Sequence, residues 1–239
     1  DLLAVDTCVR TLGTLADPSS FIHVFTTMVL RYSDYLSRTA LDAVYAIEGH
    51  LRDNLMGVIE NGELYLKLEA LQFALDEERL TADNKKEIVK KTFALALEMN
   101  STSRDDIKII KNIRYLCVNT ISEMKIGEMT PLVVKHFDLV RRDYELEREA
   151  KPRLMEAIDC LGNMGSHPAA AALADYLAYL NLYTEKQKVY DEQIILSILN
   201  NILKLDDPVC IDPVQYAVFL DYSKRIKQTA REVAKELRN

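Results

Sequence analysis

Apolar residues recur every three to four positions along most of the chain, which is the period of one face of a helix rather than of a strand. The clearest stretch runs over residues 152–179. Leu154, Ala157, Ile158 and Leu161 form one stripe; Ala171, Leu173, Ala174, Leu177 and Leu180 form a second. Between them, Gly162 and Gly165 end the first helix, since glycine takes the left-handed geometry of a helix C-terminus without a Cβ clash. His167-Pro168 opens the second, with proline in the first turn, where its missing N–H costs nothing. The unit is a pair of helices around a tight turn.

The same reading predicts helices over residues 2–15, 21–31, 35–48, 50–60, 63–78, 81–99, 105–124, 131–142, 192–204, 214–222 and 223–237. The first carries Val5, Cys8, Val9 and Leu12 on one side, breaks at Ala16-Asp17-Pro18, and leaves Ser19 or Ser20 to cap the next. Gly49 and Asn61-Gly62 are further stops. Leu64, Leu68, Leu71 and Leu75 align in one helix, and Ile109, Ile113, Leu116 and Thr120 in another. Residues 143–151 are densely charged with both signs, and either extend a neighbouring helix or form a solvated connector. Residues 183–191 are polar and carry little pattern.

The helix pair returns along the chain. With Leu161 as reference, the equivalent positions are Leu12, Ile47, Leu75, Leu116, Ile202 and Val233, scattered about a period of roughly 40 residues. Tetratricopeptide arrays keep a stricter period of about 34 with a Trp/Gly/Tyr pattern, and this chain has no Trp. The phrases Val9-Arg10-Thr11-Leu12-Gly13-Thr14-Leu15-Ala16-Asp17-Pro18 and Ala157-Ile158-Asp159-Cys160-Leu161-Gly162-Asn163-Met164-Gly165 resemble the HEAT-repeat family, in which an apolar helix ends Leu-Gly before a short Asp/His-Pro turn. In the middle of the chain only the period survives: Glu48, Asp76 and Cys117 replace the glycine. The resemblance implies an all-α fold: one domain over residues 1–239, a right-handed α-solenoid of about six stacked antiparallel helix pairs. It implies a binding role and carries no shared catalytic residue. No single pair buries its stripe alone, so neighbours stack and the ends need polar caps. Residues 223–239, with Lys224, Arg225, Lys227, Arg231, Lys235 and Arg238, fit a basic C-terminal cap.

Composition narrows the reading. Hydrophobic residues make up 49% of the 239, enough for a substantial core, and only 7 Gly and 6 Pro argue against a loop-rich or all-β protein. The net charge of −7 disfavours a general nucleic-acid binder, which needs an electropositive face. Cys8, Cys117, Cys160 and Cys210 form no CxxC and read as reduced, packed thiols. No run is long enough to span a bilayer, and Asp1 opens the chain without a basic start or apolar leader. A cytoplasmic location is favoured, with the bacterial periplasm the alternative for a mature fragment.

In stacks of this kind one helix type lines the concave surface. Two positions before each reference residue stand Arg10, Tyr45, Phe73, Arg114, Asp159, Asn200 and Arg231; five before stand Thr7, Asp42, Ala70, Lys111, Glu156, Ser197 and Gln228. Tyr45 and the arginines belong to residue types that concentrate interface energy. The candidate binding ladder is Arg10, Asp42, Tyr45, Phe73, Lys111, Arg114, Glu156, Asp159, Asn200 and Arg231, against the reading of an ordinary solvated helix face. Among 12 tyrosines, Tyr176, Tyr179, Tyr183 and Tyr190 cluster, either as half-buried packing or as a partner patch. His23, His50, His136 and His167 stand apart, in no metal-binding spacing. No phosphate loop or nucleophile motif occurs. The expected function is therefore a non-enzymatic protein–protein interaction scaffold, with no cofactor or metal. A DNA-binding protein of the alkylation-repair type and a lyase or enzyme accessory of the same architecture are the alternatives.

Overall fold

The computed structural model describes residues 1–47 and 49–238. Among them are thirteen α-helices and three short 3-10 turns, with no strand. They divide into two compact units, Asp1–Ile113 and Arg114–Asn239. The first holds α1 (Leu2–Leu15), α2 (Phe21–Leu30), α3 (Asp34–Ala46), α4 (Leu51–Asn61), α5 (Leu64–Asp76), α6 (Ala82–Glu98) and the start of α7 (Arg104–Met124). The second holds the remainder of α7, then α8 (Thr130–Glu145), α9 (Lys151–Gly162), α10 (His167–Gln187), α11 (Glu192–Leu205), α12 (Ile211–Phe219) and α13 (Lys224–Glu236). Glu48, where the third helix was expected to end, lies outside the described residues.

Helix ends follow local chemistry. The side chains of Ser33, Thr81 and Ser223 accept from Leu36 N, Asn84 N and Ile226 N at 3.1, 3.2 and 3.3 Å. Asp191 accepts from both Gln193 N and Ile194 N. Each satisfies amides that a helix start leaves orphaned. The break after α1 differs from expectation: Asp17 is the cap, accepting from Ser19 N at 2.9 Å, and Ser20 makes no side-chain cap bond. A carboxylate directly before proline wins because the 3-10 turn Pro18–Ser20 places the Ser19 amide over it.

Packing is local in each unit. In the first, α1 packs on α3, α2 on α3 and α4, and α4 on α5 and α6. In the second, α8 packs on α9 and α10, α9 on α11, α10 on α11 and α12, and α13 on α11 and α12. Most helices therefore meet a sequence neighbour, and several meet the next but one. Leu154, Ala157, Ile158 and Leu161 are all buried; closing such a stripe contributes about 1.5–3 kcal/mol per large apolar side chain. α13 buries Ile226, Ala230, Val233 and Ala234 and leaves Lys224, Arg225, Arg231 and Lys235 exposed.

Two stripes lie elsewhere than expected. In α5 the buried residues are Leu66, Ala70, Leu71 and Ala74, with Leu64, Leu68 and Leu75 only half-buried. α5 meets α2, α4 and α6, and the small alanines are buried beside Leu66 and Leu71. In α7 the core face is Ile110, Ile113, Cys117, Val118 and Ile121, rotated from the expected Ile109, Leu116 and Thr120. The two glycines after Leu161 also divide their roles. Gly165 has φ +57, the left-handed turn. Gly162 is instead the last residue of α9, and its missing Cβ makes room for α11. Cys117, Cys160 and Cys210 are buried, but Cys8 is exposed rather than packed, because α1 turns Asp6, Val9 and Gly13 inward.

Candidate functional site

The residues of the expected ladder all fall on the odd-numbered helices. Arg10 is on α1, Asp42 and Tyr45 on α3, Phe73 on α5, Lys111 and Arg114 on α7, Glu156 and Asp159 on α9, Asn200 on α11 and Arg231 on α13. Arg10, Asp42, Asp159, Asn200 and Arg231 are exposed; Tyr45, Phe73, Lys111, Arg114 and Glu156 are half-buried. The second row is not an outward face throughout, since Ala70 and Ser197 are buried.

Several of these side chains do not simply face solvent. They join one odd helix to the next through a tyrosine, an arginine and a carboxylate. In the first unit the Tyr45 hydroxyl donates to Glu77, just past the end of α5. Glu77 also accepts from the Arg79 amide at 2.8 Å, and the Arg79 guanidinium lies 3.5 Å from the Tyr45 ring centroid. In the second unit the Tyr115 hydroxyl of α7 donates to Glu156 of α9 at 3.0 Å. Arg153 pairs with Glu156 at 3.3 Å and stacks 3.3 Å from the Tyr115 ring centroid. A looser version links α1 and α3: Arg10 donates to Asp6 at 2.9 Å and to the Tyr35 hydroxyl at 2.6 Å, with its guanidinium 5.8 Å from that ring. A guanidinium over an aromatic face gains from the ring quadrupole while keeping its planar donors for a carboxylate.

Electrostatics follow from these contacts. Burial, reinforced by the Glu77 carboxylate, pushes the Tyr45 hydroxyl up to about 12, so it stays a neutral donor. The hydrogen bond from Arg10 holds Asp6 below the usual carboxylate range. Arg114 is drawn down by burial, with Asp143 opposing. Phe73 backs the Tyr45 clasp, with ring centroids 6.4 Å from Tyr45 and 5.8 Å from Phe25.

Further along, Asp159 accepts from Asn201 of α11 at 2.7 Å. Asn163 donates to Ser122 at 2.8 Å, and Lys151 pairs with Asp191 at 3.1 Å. The structure thus unites Tyr45 with Phe73, ties Arg10, Glu156 and Asp159 to residues of neighbouring odd helices, and leaves Asp42, Asn200 and Arg231 on the exterior. Tyr35, Glu77, Arg79, Tyr115 and Arg153 complete the clasps and escape sequence reasoning. Their signal, a tyrosine followed one repeat later by a Glu with an Arg two or three residues away, is visible only after the clasp is known.

Among the described residues no group of three or more His, Cys, Asp and Glu side chains is placed to hold a metal ion, and no helix is long and apolar enough to cross a membrane. Compared with protein-family models, curated proteins and solved structures, the chain matches none. What stands is an all-helical protein in which α1–α3, α3–α5 and α7–α9 are bridged by tyrosine–arginine–carboxylate clasps.

Proposed function

We propose that the protein is a non-enzymatic interaction scaffold built from HEAT-type helix pairs, a right-handed α-solenoid of about six pairs that binds another protein along the concave face of its odd helices. The packing of many helices on a sequence neighbour or the next but one supports this reading, because stacked pairs that contact only adjacent repeats produce that pattern. The basic α13 then serves as the terminal cap.

The observation that carries the binding role is the clasp of Tyr45, Glu77 and Arg79, repeated by Tyr115, Glu156 and Arg153. Tyrosine and arginine are the side chains that most often anchor interfaces. Held in place before a partner arrives, they lose less rotamer freedom on binding. Exposed Asp42 and Asp159 border them and supply the polar rim that interfaces need. Affinity capture with mass spectrometry from the native organism, using the wild-type chain and a Tyr45→Ala/Arg114→Glu variant, tests the reading. The variant should lose the specific partner while its helical circular dichroism is retained. Undiminished capture by the folded variant contradicts the assignment of the face.

A further inference from the structure

A cavity of about 710 Å³ opens in the second unit, lined by the end of α8 and the segment after it, the second half of α10 and the start of α11. Its size falls in the range of ligand-binding clefts. The wall is aromatic. Tyr176, Tyr179 and Tyr183 follow one another along α10 with near-parallel rings, 6.2 and 6.5 Å between centroids. Tyr144 and Tyr190 complete it. Tyr179 and Tyr183 are 44% and 46% exposed, so both side chains reach solvent.

The rest of the lining is acidic. Glu145, Glu147, Glu149 and Asp191 contribute carboxylates, and no lysine or arginine is among the described lining residues. Asp191 is already engaged, capping α11 and paired with Lys151. Glu145 and Glu147 are exposed. A second observation is independent of this charge. Tyr176 is 1% exposed and lines the cavity. Arg141 sits 5.6 Å from its ring centroid, so the ring is already in a cation-bearing arrangement on one side. Burial, helped by Glu145, raises its pKa, so the phenol oxygen is neutral and accepts an N–H.

We propose that this cleft binds a lysine- or arginine-bearing segment of a partner protein, its ammonium or guanidinium group lying over the tyrosine rings and against Glu145 and Glu147. Aromatic faces attract organic cations, and the carboxylates add charge-assisted hydrogen bonds. The proposal rests on the interaction-scaffold reading and supplies the chemistry of the partner.

The test is fluorescence anisotropy of labelled peptides alternating Gly with Arg, Lys or Glu. The Arg and Lys peptides should bind and the Glu peptide should not. Tyr179→Ala/Tyr183→Ala should weaken binding at least about tenfold, whereas Tyr179→Phe/Tyr183→Phe, which keep the rings, should stay within about twofold. Glu145→Gln/Glu147→Gln should weaken it about fivefold or more. Asp76→Asn/Glu78→Gln, which removes equal charge from exposed positions in the first unit, should leave it within about twofold. Absence of binding, or equal loss in the Asp76/Glu78 variant, overturns the site. Tetramethylammonium displacing the peptide at equal cation concentration overturns the peptide in favour of a free organic cation. Tyr45 and Arg114 are untouched in these variants, so the cleft and the clasp face fail separately.

Discussion

Gly162 at the end of α9 faces Asn201 of α11 so closely that a Cβ on the glycine would lie 2.0 Å from the asparagine Oδ1 and 2.7 Å from its Cβ. Gly13 does the same between α1 and α3, its Cβ position 2.8 Å from that of Ala43. The Leu-Gly phrase that marks two repeats is thus a contact between successive odd helices. Asn201 cannot step aside cheaply: it is 1% exposed and held by Asp159, the Ser197 carbonyl and Lys204.

Gly162→Ala should therefore destabilise the protein by about 1–3 kcal/mol despite the better helix propensity of alanine. A thermal melt should show a drop of about 3–10 °C. Gly57 provides the opposite sign, since a Cβ there meets nothing within 4 Å in the middle of α4. Gly57→Ala should stabilise by about 0.5–1 kcal/mol in the same assay.

Asn181 is fully buried on α10, donating to the Pro213 carbonyl at 2.8 Å and accepting from the Tyr222 hydroxyl at 3.0 Å. Asn181→Leu removes the donor to the Pro213 carbonyl and leaves the Tyr222 hydroxyl with Thr184 alone, away from water. Urea denaturation should report a loss of about 2–4 kcal/mol.

His136 is pulled down to about 3, first by burial and then by the neighbouring Arg114 and Arg153 guanidiniums. The folded state resists a proton that the unfolded chain takes up near its ordinary value of about 6.5. The contribution of the neutral ring is therefore complete above pH 6.5 and is lost as pH falls towards 3. Between pH 6.5 and 4.5 it should steepen the loss of stability by about 1.4 kcal/mol per pH unit. Urea melts of wild type and His136→Gln across that range should differ in slope in this direction, whatever the absolute cost of the substitution.

Burial pushes the Cys160 and Cys210 thiols up to about 12 and raises Cys117 as well. A thiol reagent at pH 8 should therefore label the native protein at Cys8 alone and reach the other three only on denaturation. Fast labelling of two or more thiols in the folded chain would contradict the burial pattern.

The helices were legible because apolar spacing survives any tertiary detail: α1, α9 and α11 begin and end within a residue or two of expectation. Rotational setting was not. Ala70 and Ala74 carry little hydrophobic signal, yet they are buried in α5, and a leucine-weighted stripe misses them. The binding face was half legible. Spacing alone put Arg10, Tyr45 and Glu156 on one helix type, but their partners Tyr35, Glu77 and Tyr115 depend on how far each helix slides along the next. A repeat of variable length does not encode that. The tyrosine row on α10 was visible as a cluster; the carboxylates beside it come from the end of α8 and the α8–α9 connection, which sequence order separates from it.

The most direct measurement is hydrogen–deuterium exchange of the protein with and without its captured partner. Exchange should slow on α3 and α5 around Asp42, Tyr45 and Phe73, and on α9 around Arg153 to Asp159. Protection confined to the even helices, or absent from both clasps, would contradict the account.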